Sequence, residues 1–559
     1  PHLNWRKVMK VLLAAINAKY IHSNLAVFSL KKYADSVIGE NNENIDIEIA
    51  EYTINNHIGD ILPDLYGKKA DIIAFSVYIW NVEYVTRLAG SLKKIMPHTE
   101  IWVGGPEVSY RAESFLKDYP FVDRVLCGEG EKIFADSLIK ASRKEAFGKI
   151  IYCDDVLSMN ELPYVYDNLK PFENKIIYYE SARGCPFSCS YCLSSIDKKI
   201  RVRDTDLVKA DLKKFIDNRI SLVKFVDRTF NAVHSHAMDI WKFLAENDNG
   251  VTGYHFELAA DILRDDEIEF LQGVRKGLFQ FEIGIQTFNE ETLSAINRKT
   301  DTDRLCSNVR KLWQMRNIHI HLDLIAGLPY EDLESFAGSF DNVYALRPDE
   351  FQLGFLKVLY GSKMEKDSSL YDIVTADYPP YEVLSTRWLS YDDVLLLKEV
   401  EEALEVYYNS RQFDNAISYL AENYESPFDM YRQIGAAMAA DTEVGAAKSR
   451  LKRYDFLYNY GRKVVDNPDL FMELLIHDAY LRDNCKTRPS FAERENDVSG
   501  GICRDRRISA RIYHAEKYSY DIDNFIKTGN VIKNDTIILY DYGKRDDITY
   551  NVEYQCIEE

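Results

Sequence analysis

Short apolar runs alternate with amphipathic stretches through about the first 360 residues, and no other feature constrains the fold as much. The runs at 8–16, 45–52, 71–79, 100–103 and 122–127 read as strands, with helical patterns such as 25–38 and 82–95 between them. Strands that are apolar throughout and joined by helices specify a parallel sheet covered on both faces. Residues 9–150 are therefore expected to form a doubly wound α/β domain of Rossmann or flavodoxin type. Such sheets bind ligands outside the carboxyl ends of their strands. The loops there carry Asn17 and Tyr20 after the first strand, and Ser76, Tyr78, Ile79 and Trp80 at the end of the third. Gly104, Gly105, Pro106 and Glu107 follow the fourth strand, and Gly128 and Glu129 the fifth. Glycines at these ends serve as tight turns, or let the backbone approach a flat or anionic ligand. No G-x-G-x-x-G follows the first strand, so the dinucleotide fingerprint is absent.

Residues 151–174, with Pro163 and Pro171, lack clear periodicity and read as a connector. Strand candidates then recur at 176–182, 222–227, 254–258, 279–285, 319–325 and 350–358. They are separated or followed by helical patterns at 205–217, 235–246, 265–276, 290–296, 303–314 and 333–345. This succession fits a partial (β/α)6 TIM-type barrel over 175–365 better than a second open sheet. Residues 366–559 read as mostly helical. Amphipathic helices are expected at 392–408 and 414–423, a polar loop at 484–503, and a terminal β-hairpin of 536–542 with 548–556.

A net charge of −20, with 28% charged and 46% hydrophobic residues, is globular and argues against broad binding to nucleic acid or anionic membrane. It leaves room for a local basic groove, but the basic runs at 198–203 and 504–507 read first as solvated faces. No stretch approaches the ~18 to 20 apolar residues of a membrane span. Residues 1–8, ahead of Met9, are set aside as an expression remnant or alternative start. With no apolar leader, a cytoplasmic location is expected.

Nine cysteines are too few and too irregular for a disulfide framework. Three are clustered: Cys185, Cys189 and Cys192, with C-x3-C-x2-C spacing in a loop after the first barrel strand. Three thiolates on one loop can hold three irons of a [4Fe–4S] cluster and leave the fourth open. Zinc is the competing metal, but structural zinc wants four ligands and no partner pair lies near.

This loop, in this barrel, resembles that of the radical S-adenosylmethionine (SAM) superfamily. The resemblance implies that Cys185, Cys189 and Cys192 bind a [4Fe–4S] cluster whose open iron takes SAM, and that Tyr191 packs near the adenine. It further implies SAM contacts at Asp227 in 224–231, Glu257 on the third strand, Gln286 in I-G-I-Q-T, and Gly327 in I-A-G-L-P. The preceding α/β domain, with its Gly-Gly-Pro-Glu and Gly-Glu-Gly-Glu loops, resembles that of the cobalamin-binding radical SAM class with an uncharacterised C-terminal domain. Cobalamin contacts are then expected at Asn17, Tyr20, Ser76, Tyr78, Ile79, Trp80, Gly104, Gly105, Pro106, Glu107, Gly128 and Glu129. The D-x-H-x-x-G motif that supplies a lower-axial histidine is missing, so cobalamin is expected base-off with no histidine ligand. Tyr78, Ile79 and Trp80 are expected to cover its lower face.

The activity this implies is radical methyl transfer. One SAM methylates cob(I)alamin, a second yields a 5′-deoxyadenosyl radical, and methyl passes to an unactivated carbon. Radical rearrangement, oxidation or cyclisation without methyl transfer needs the same cofactors, and a cobalamin- or redox-sensing binding protein is a third reading. The expected partners are a small-molecule or peptide substrate and an external electron donor such as flavodoxin or ferredoxin. No catalytic side chain and no substrate are legible.

Overall fold

The computed structural model describes residues 8–441, 449–485 and 488–557. Residues 1–7 of the segment set aside above lie outside the described residues. The chain packs as two compact units. One comprises Pro1–Leu263, Ser294–Lys299 and Leu356–Leu384, the other Arg264–Leu293, Thr300–Phe355 and Ser385–Glu559.

The first unit opens with a parallel sheet of β1 (Met9–Asn17), β2 (Ile45–Thr53), β3 (Ile72–Ser76), β4 (Glu100–Gly104), β5 (Arg124–Cys127) and β6 (Ile150–Tyr152). Its order is β2-β1-β3-β4-β5-β6. Alternate residues feed two cores. Leu12, Ile73 and Val103 pack on one face, and Val11, Leu13, Ile72 and Trp102 on the other. Both faces are covered, as the uninterrupted apolar runs predict. Two boundaries differ from the sequence reading. β3 stops at Ser76 because the Val77 N–H turns to the Gly104 carbonyl (2.7 Å) and the Tyr78 N–H to the Asn81 side chain (2.8 Å). β6, in the expected connector, is only three residues long and too short for periodicity to reveal.

The same unit continues with β7 (Ile177–Tyr179), β8 (Leu222–Phe225) and β9 (Gly253–Leu258), where β8 pairs in parallel with both neighbours. β7 ends earlier than its apolar run. Ser181 is drawn to the Asp227 carboxylate, and Ala182–Arg183 pairs antiparallel with Arg201–Val202 instead.

The second unit holds β10 (Phe279–Gln286), β11 (His319–Ala326) and β12 (Glu350–Phe355), again parallel. Each is followed by helix in the barrel manner, and β12 is the last of the series. After it come helices Tyr391–Leu404, Asp414–Ala421, Pro427–Ala440, Arg450–Gly461 and Pro468–Arg482. The last is buried almost all round, from Leu470 to Leu481 apart from Met472, so it shows no amphipathic period. The expected terminal hairpin is a three-stranded antiparallel sheet of β13 (Tyr513–Tyr520), β14 (Lys533–Arg545) and β15 (Val552–Ile557). Part of the loop expected at 484–503 is helix Ser499–Asp505. Its first residue is pinned by the Ala515 N–H donating to Ser499 Oγ (2.9 Å), and Gly500 and Gly501 sit in open space where their missing side chains cost no packing. No described helix is long and apolar enough to cross a membrane.

Candidate functional site

A cavity of about 1240 Å³ opens at the carboxyl ends of β1, β3, β4 and β5. Its lining includes the sequence-predicted Asn17, Ser76, Tyr78, Trp80, Gly104, Gly105, Pro106, Gly128 and Glu129. Tyr20, Ile79 and Glu107 are not among the lining residues. Tyr20 is 67% exposed. Glu107 is committed to protein partners, since it pairs with Arg111 and accepts from Tyr381 Oη (2.6 Å). Burial pushes the Glu107 carboxyl up, against the pull of Tyr381 and Arg111.

The wall at the end of β3 is an aromatic slab. The rings of Tyr78 and Trp80 stack 4.4 Å apart, 7° from parallel. Trp80 is 42% exposed, yet its indole N–H donates to the Ile16 carbonyl (3.1 Å), which fixes the ring. Asn81 donates to the Ile16 and Ser76 carbonyls (3.0 Å each) and holds the turn beneath the slab. Across the sheet, Gly105 has φ +118, and a Cβ there would lie 2.4 Å from the Val77 carbonyl oxygen. Only glycine fits, and it leaves bare backbone at the cavity wall.

Further lining residues, Glu180, Arg183, Ile196 and Asp197, come from the segment that carries the cysteines. Arg183 pairs with Glu129 (2.9 Å), Glu131 (2.5 Å) and Glu180 (2.9 Å), and Arg201 pairs with Glu129 as well. Burial alone would raise the Glu131 carboxyl, but Arg183 outweighs it and holds the carboxyl below its ordinary range. Glu129 therefore faces the cavity while tying two arginines that bracket the cysteine loop. The loop is closed at its base by the Ala182–Arg183 ladder with Arg201–Val202. Gly184, at φ +92, would put a Cβ 2.4 Å from the Lys199 carbonyl oxygen, so glycine is required there too.

Cys185 and Cys189 are buried and Cys192 is half-buried; none is in a disulfide. Cys185 Sγ lies 3.6 Å from Thr229 Oγ1. Arg298 donates toward Cys189 Sγ (3.7 Å) and the Tyr191 hydroxyl (3.4 Å). Burial raises the Cys189 thiol and Arg298 opposes it, since a cation beside sulfur favours the thiolate. Sequence reasoning missed Arg298, which no local spacing connects to a cysteine more than a hundred residues earlier.

Asp227 is fully enclosed and accepts from the Ser181 N–H (3.0 Å) and Oγ (2.6 Å). Burial pushes its carboxyl up to about 7. His236 completes this cluster, 3.0 Å from Ser181 Oγ, and burial brings it down to about 4. Glu257 is half-buried on β9. Gln286 and Gly327 belong to the second unit. Gln286 sits at a register shift of β10 with φ +75, and its buried Oε1 has no hydrogen-bonding partner among the described residues. A strained residue with an orphaned polar atom is a mark of a functional position.

His22 also lines the cavity, although its sequence context gave it no role. Its Nδ1 lies 2.5 Å from the Tyr178 hydroxyl. Burial first, then Lys19 and Lys224, lowers its pKa.

Comparison with known proteins bears on all three regions. Residues 11–138 match the B12 binding domain, 179–343 the radical SAM superfamily, and 369–540 a protein family of unknown function, DUF4080. The chain is 25% identical over 311 residues to the cobalamin-dependent radical SAM methyltransferase TokK of Streptomyces tokunonensis, covering 48% of this chain and 44% of that protein. It is 25% identical over 315 residues to the hopanoid C-3 methylase of Methylococcus capsulatus, covering 52% and 59%. The chain thus spans about half the length of the curated relatives it matches. Among solved structures, the cobalamin-dependent SAM radical enzyme OxsB, with aqua-cobalamin and SAM bound, superposes with a TM-score of 0.57 at 14% identity, covering 85% of this chain and 80% of that one.

Proposed function

From a chain that joins a B12-binding domain, a radical SAM domain and a DUF4080 domain, we propose a cobalamin-dependent radical SAM enzyme that moves a methyl group to an unactivated carbon. The observation that carries this reading is the ion-pair set of Glu129, Arg183 and Arg201. It joins the large cavity to the cysteine loop inside one compact unit. The residues present fit the implied groups. A cavity larger than the ~300–1,000 Å³ common for small ligands, with a flat aromatic wall and bare glycine backbone, suits a corrinoid. Cys185, Cys189 and Cys192 would hold a [4Fe–4S] cluster. For SAM, Tyr191, Glu257, Gln286 and Gly327 are the proposed contacts, while Asp227 acts through Ser181. When bound, these groups supply a transferable methyl group and a radical able to take hydrogen from carbon. The chain's own part is to position reactants and exclude water.

We further propose base-off cobalamin with no histidine on cobalt, Tyr78 and Trp80 covering one face. Nitrogen superhyperfine splitting in the cob(II)alamin electron paramagnetic resonance (EPR) spectrum, lost in His22→Ala, would instead make His22 the ligand. An external flavodoxin- or ferredoxin-type donor, a small-molecule or peptide substrate, and a cytoplasmic location complete the proposal.

The test is mass spectrometry of anaerobic reactions with reconstituted protein, cobalamin, methyl-deuterated SAM, reductant and a cell extract. A product carrying labelled methyl, with 5′-deoxyadenosine and S-adenosylhomocysteine, is expected. Product without label moves the assignment to rearrangement, oxidation or cyclisation. Reductive SAM cleavage that survives Cys185→Ala overturns the cluster assignment.

A further inference from the structure

The parallel sheet of the second unit has one face that parallel sheets rarely show. Phe281, Ile283, Ile320, Leu322 and Leu324 point to the apolar side, at most 1% exposed. The residues between them are Glu282, His321 and Asp323. Strand register aligns Glu282 with His321, and His321 with Glu350, in one lateral row; Asp323 lies two residues along β11 on the same face. Parallel sheets are normally apolar on both faces, so a polar row across three adjacent strands calls for a reason.

We infer that Glu282, His321 and Asp323 form a binding site for a divalent first-row transition metal ion. The donor atoms of the three all lie within 4.8 Å of one another. His321 is only 8% exposed. Its Nε2 lies 3.0 Å from Asp323 Oδ1, yet neither atom has a hydrogen-bonding partner among the described residues. An imidazolium–carboxylate pair would direct its N–H at the oxygen. Two donors instead aimed at one shared point, each about 2.1 Å from it and at right angles, stand about 3.0 Å apart. Glu350 Oε2 lies 3.9 Å from the other ring nitrogen, Nδ1, on the side where a ligating histidine keeps its orienting carboxylate. One imidazole and two carboxylates suit Mn²⁺, Fe²⁺ or Zn²⁺ and leave coordination positions open. The inference stands on the second unit alone and does not depend on the cofactor reading above.

The test titrates Mn²⁺ into the full chain with its cluster oxidised and EPR-silent, following loss of the free Mn²⁺ signal. One high-affinity equivalent is expected. Its affinity should fall about tenfold or more in His321→Gln, Asp323→Asn and Glu282→Gln, and by roughly tenfold in Glu350→Gln. Melting temperatures without Mn²⁺ check that the variants fold. Should they fail, pulsed EPR of the wild-type complex decides, because ¹⁴N modulation from an imidazole is required. Absence of binding, absence of ¹⁴N modulation, or binding unchanged in the folded variants would leave a His–Asp ion pair only and overturn the assignment.

Discussion

Two adjacent glycines allow the cavity wall to be tested by geometry alone. Gly104 and Gly105 share a turn, and each can be changed to alanine. At Gly104 the new methyl would meet the Leu126 carbonyl oxygen at 3.4 Å, an ordinary contact. At Gly105 it would lie 2.4 Å from the Val77 carbonyl oxygen, with φ at +118. Relief needs about 1 Å of backbone movement where β3 and β4 end, in a packed interior that resists it. The disallowed φ costs on the order of 1–3 kcal/mol, and the overpacking about as much again. Gly105→Ala is therefore expected to lose roughly 2–6 kcal/mol, a large share of a typical ~5–15 kcal/mol stability. Gly104→Ala should lose well under about 1 kcal/mol. At about 2–4 °C per kcal/mol for a domain of this size, the melting midpoints should separate by about 2 °C or more. Calorimetry of the two variants side by side checks it. Equal midpoints would refute the argument that this loop is held by its glycine.

Trp80→Ala removes half of the stacked slab and should weaken cob(III)alamin binding roughly tenfold, read by absorbance titration of folded protein; unchanged affinity would remove Trp80 from the site. Arg298→Met removes a cation from beside Cys189. Reduction adds negative charge to the cluster, so the variant's potential should fall by about 40 mV for about 1 kcal/mol of lost differential stabilisation, measured by EPR-monitored redox titration. Asp227→Asn tests the buried carboxyl. Its folded pKa of about 7 lies above the ordinary value, so the folded state holds a proton that the unfolded state releases. This group's contribution to stability therefore falls as pH rises from about 4 to 7. The stability of Asp227→Asn relative to wild type should increase across that window, by urea unfolding at several pH values; a flat difference would refute the assigned shift.

The architecture was legible where burial imposes a regular period. β1 and β10 are long, apolar on one or both faces, and bounded by turns, so their positions follow from the chain. β6 and β13 were not legible. β6 is three residues long, and β13 reads Tyr-His-Ala-Glu-Lys-Tyr-Ser-Tyr, in which buried His514 and Glu516 hide the alternation. Helix Pro468–Arg482 falls within the region read as mostly helical, but its bounds were not legible because burial on all sides erases the amphipathic signal. At the site, the cysteine triad and the glycine loops announce themselves by spacing. Arg183, Arg298 and His22 do not, since each acquires its role from partners far away in sequence. Glu107 illustrates the converse: its loop motif suggested a ligand contact, yet Tyr381, 274 residues on, claims its carboxylate.

Glu129 is shared between Arg183 and Arg201, on either side of the cysteine loop, and it also borders the cavity. A loading event that displaced either arginine would shift a residue of the cavity lining, and an occupant that moved Glu129 would in turn loosen its ties to the loop. By reciprocity, whatever factor the first occupant applies to the second's affinity, the second applies to the first. Any such coupling would run through the one carboxylate that both arginines share.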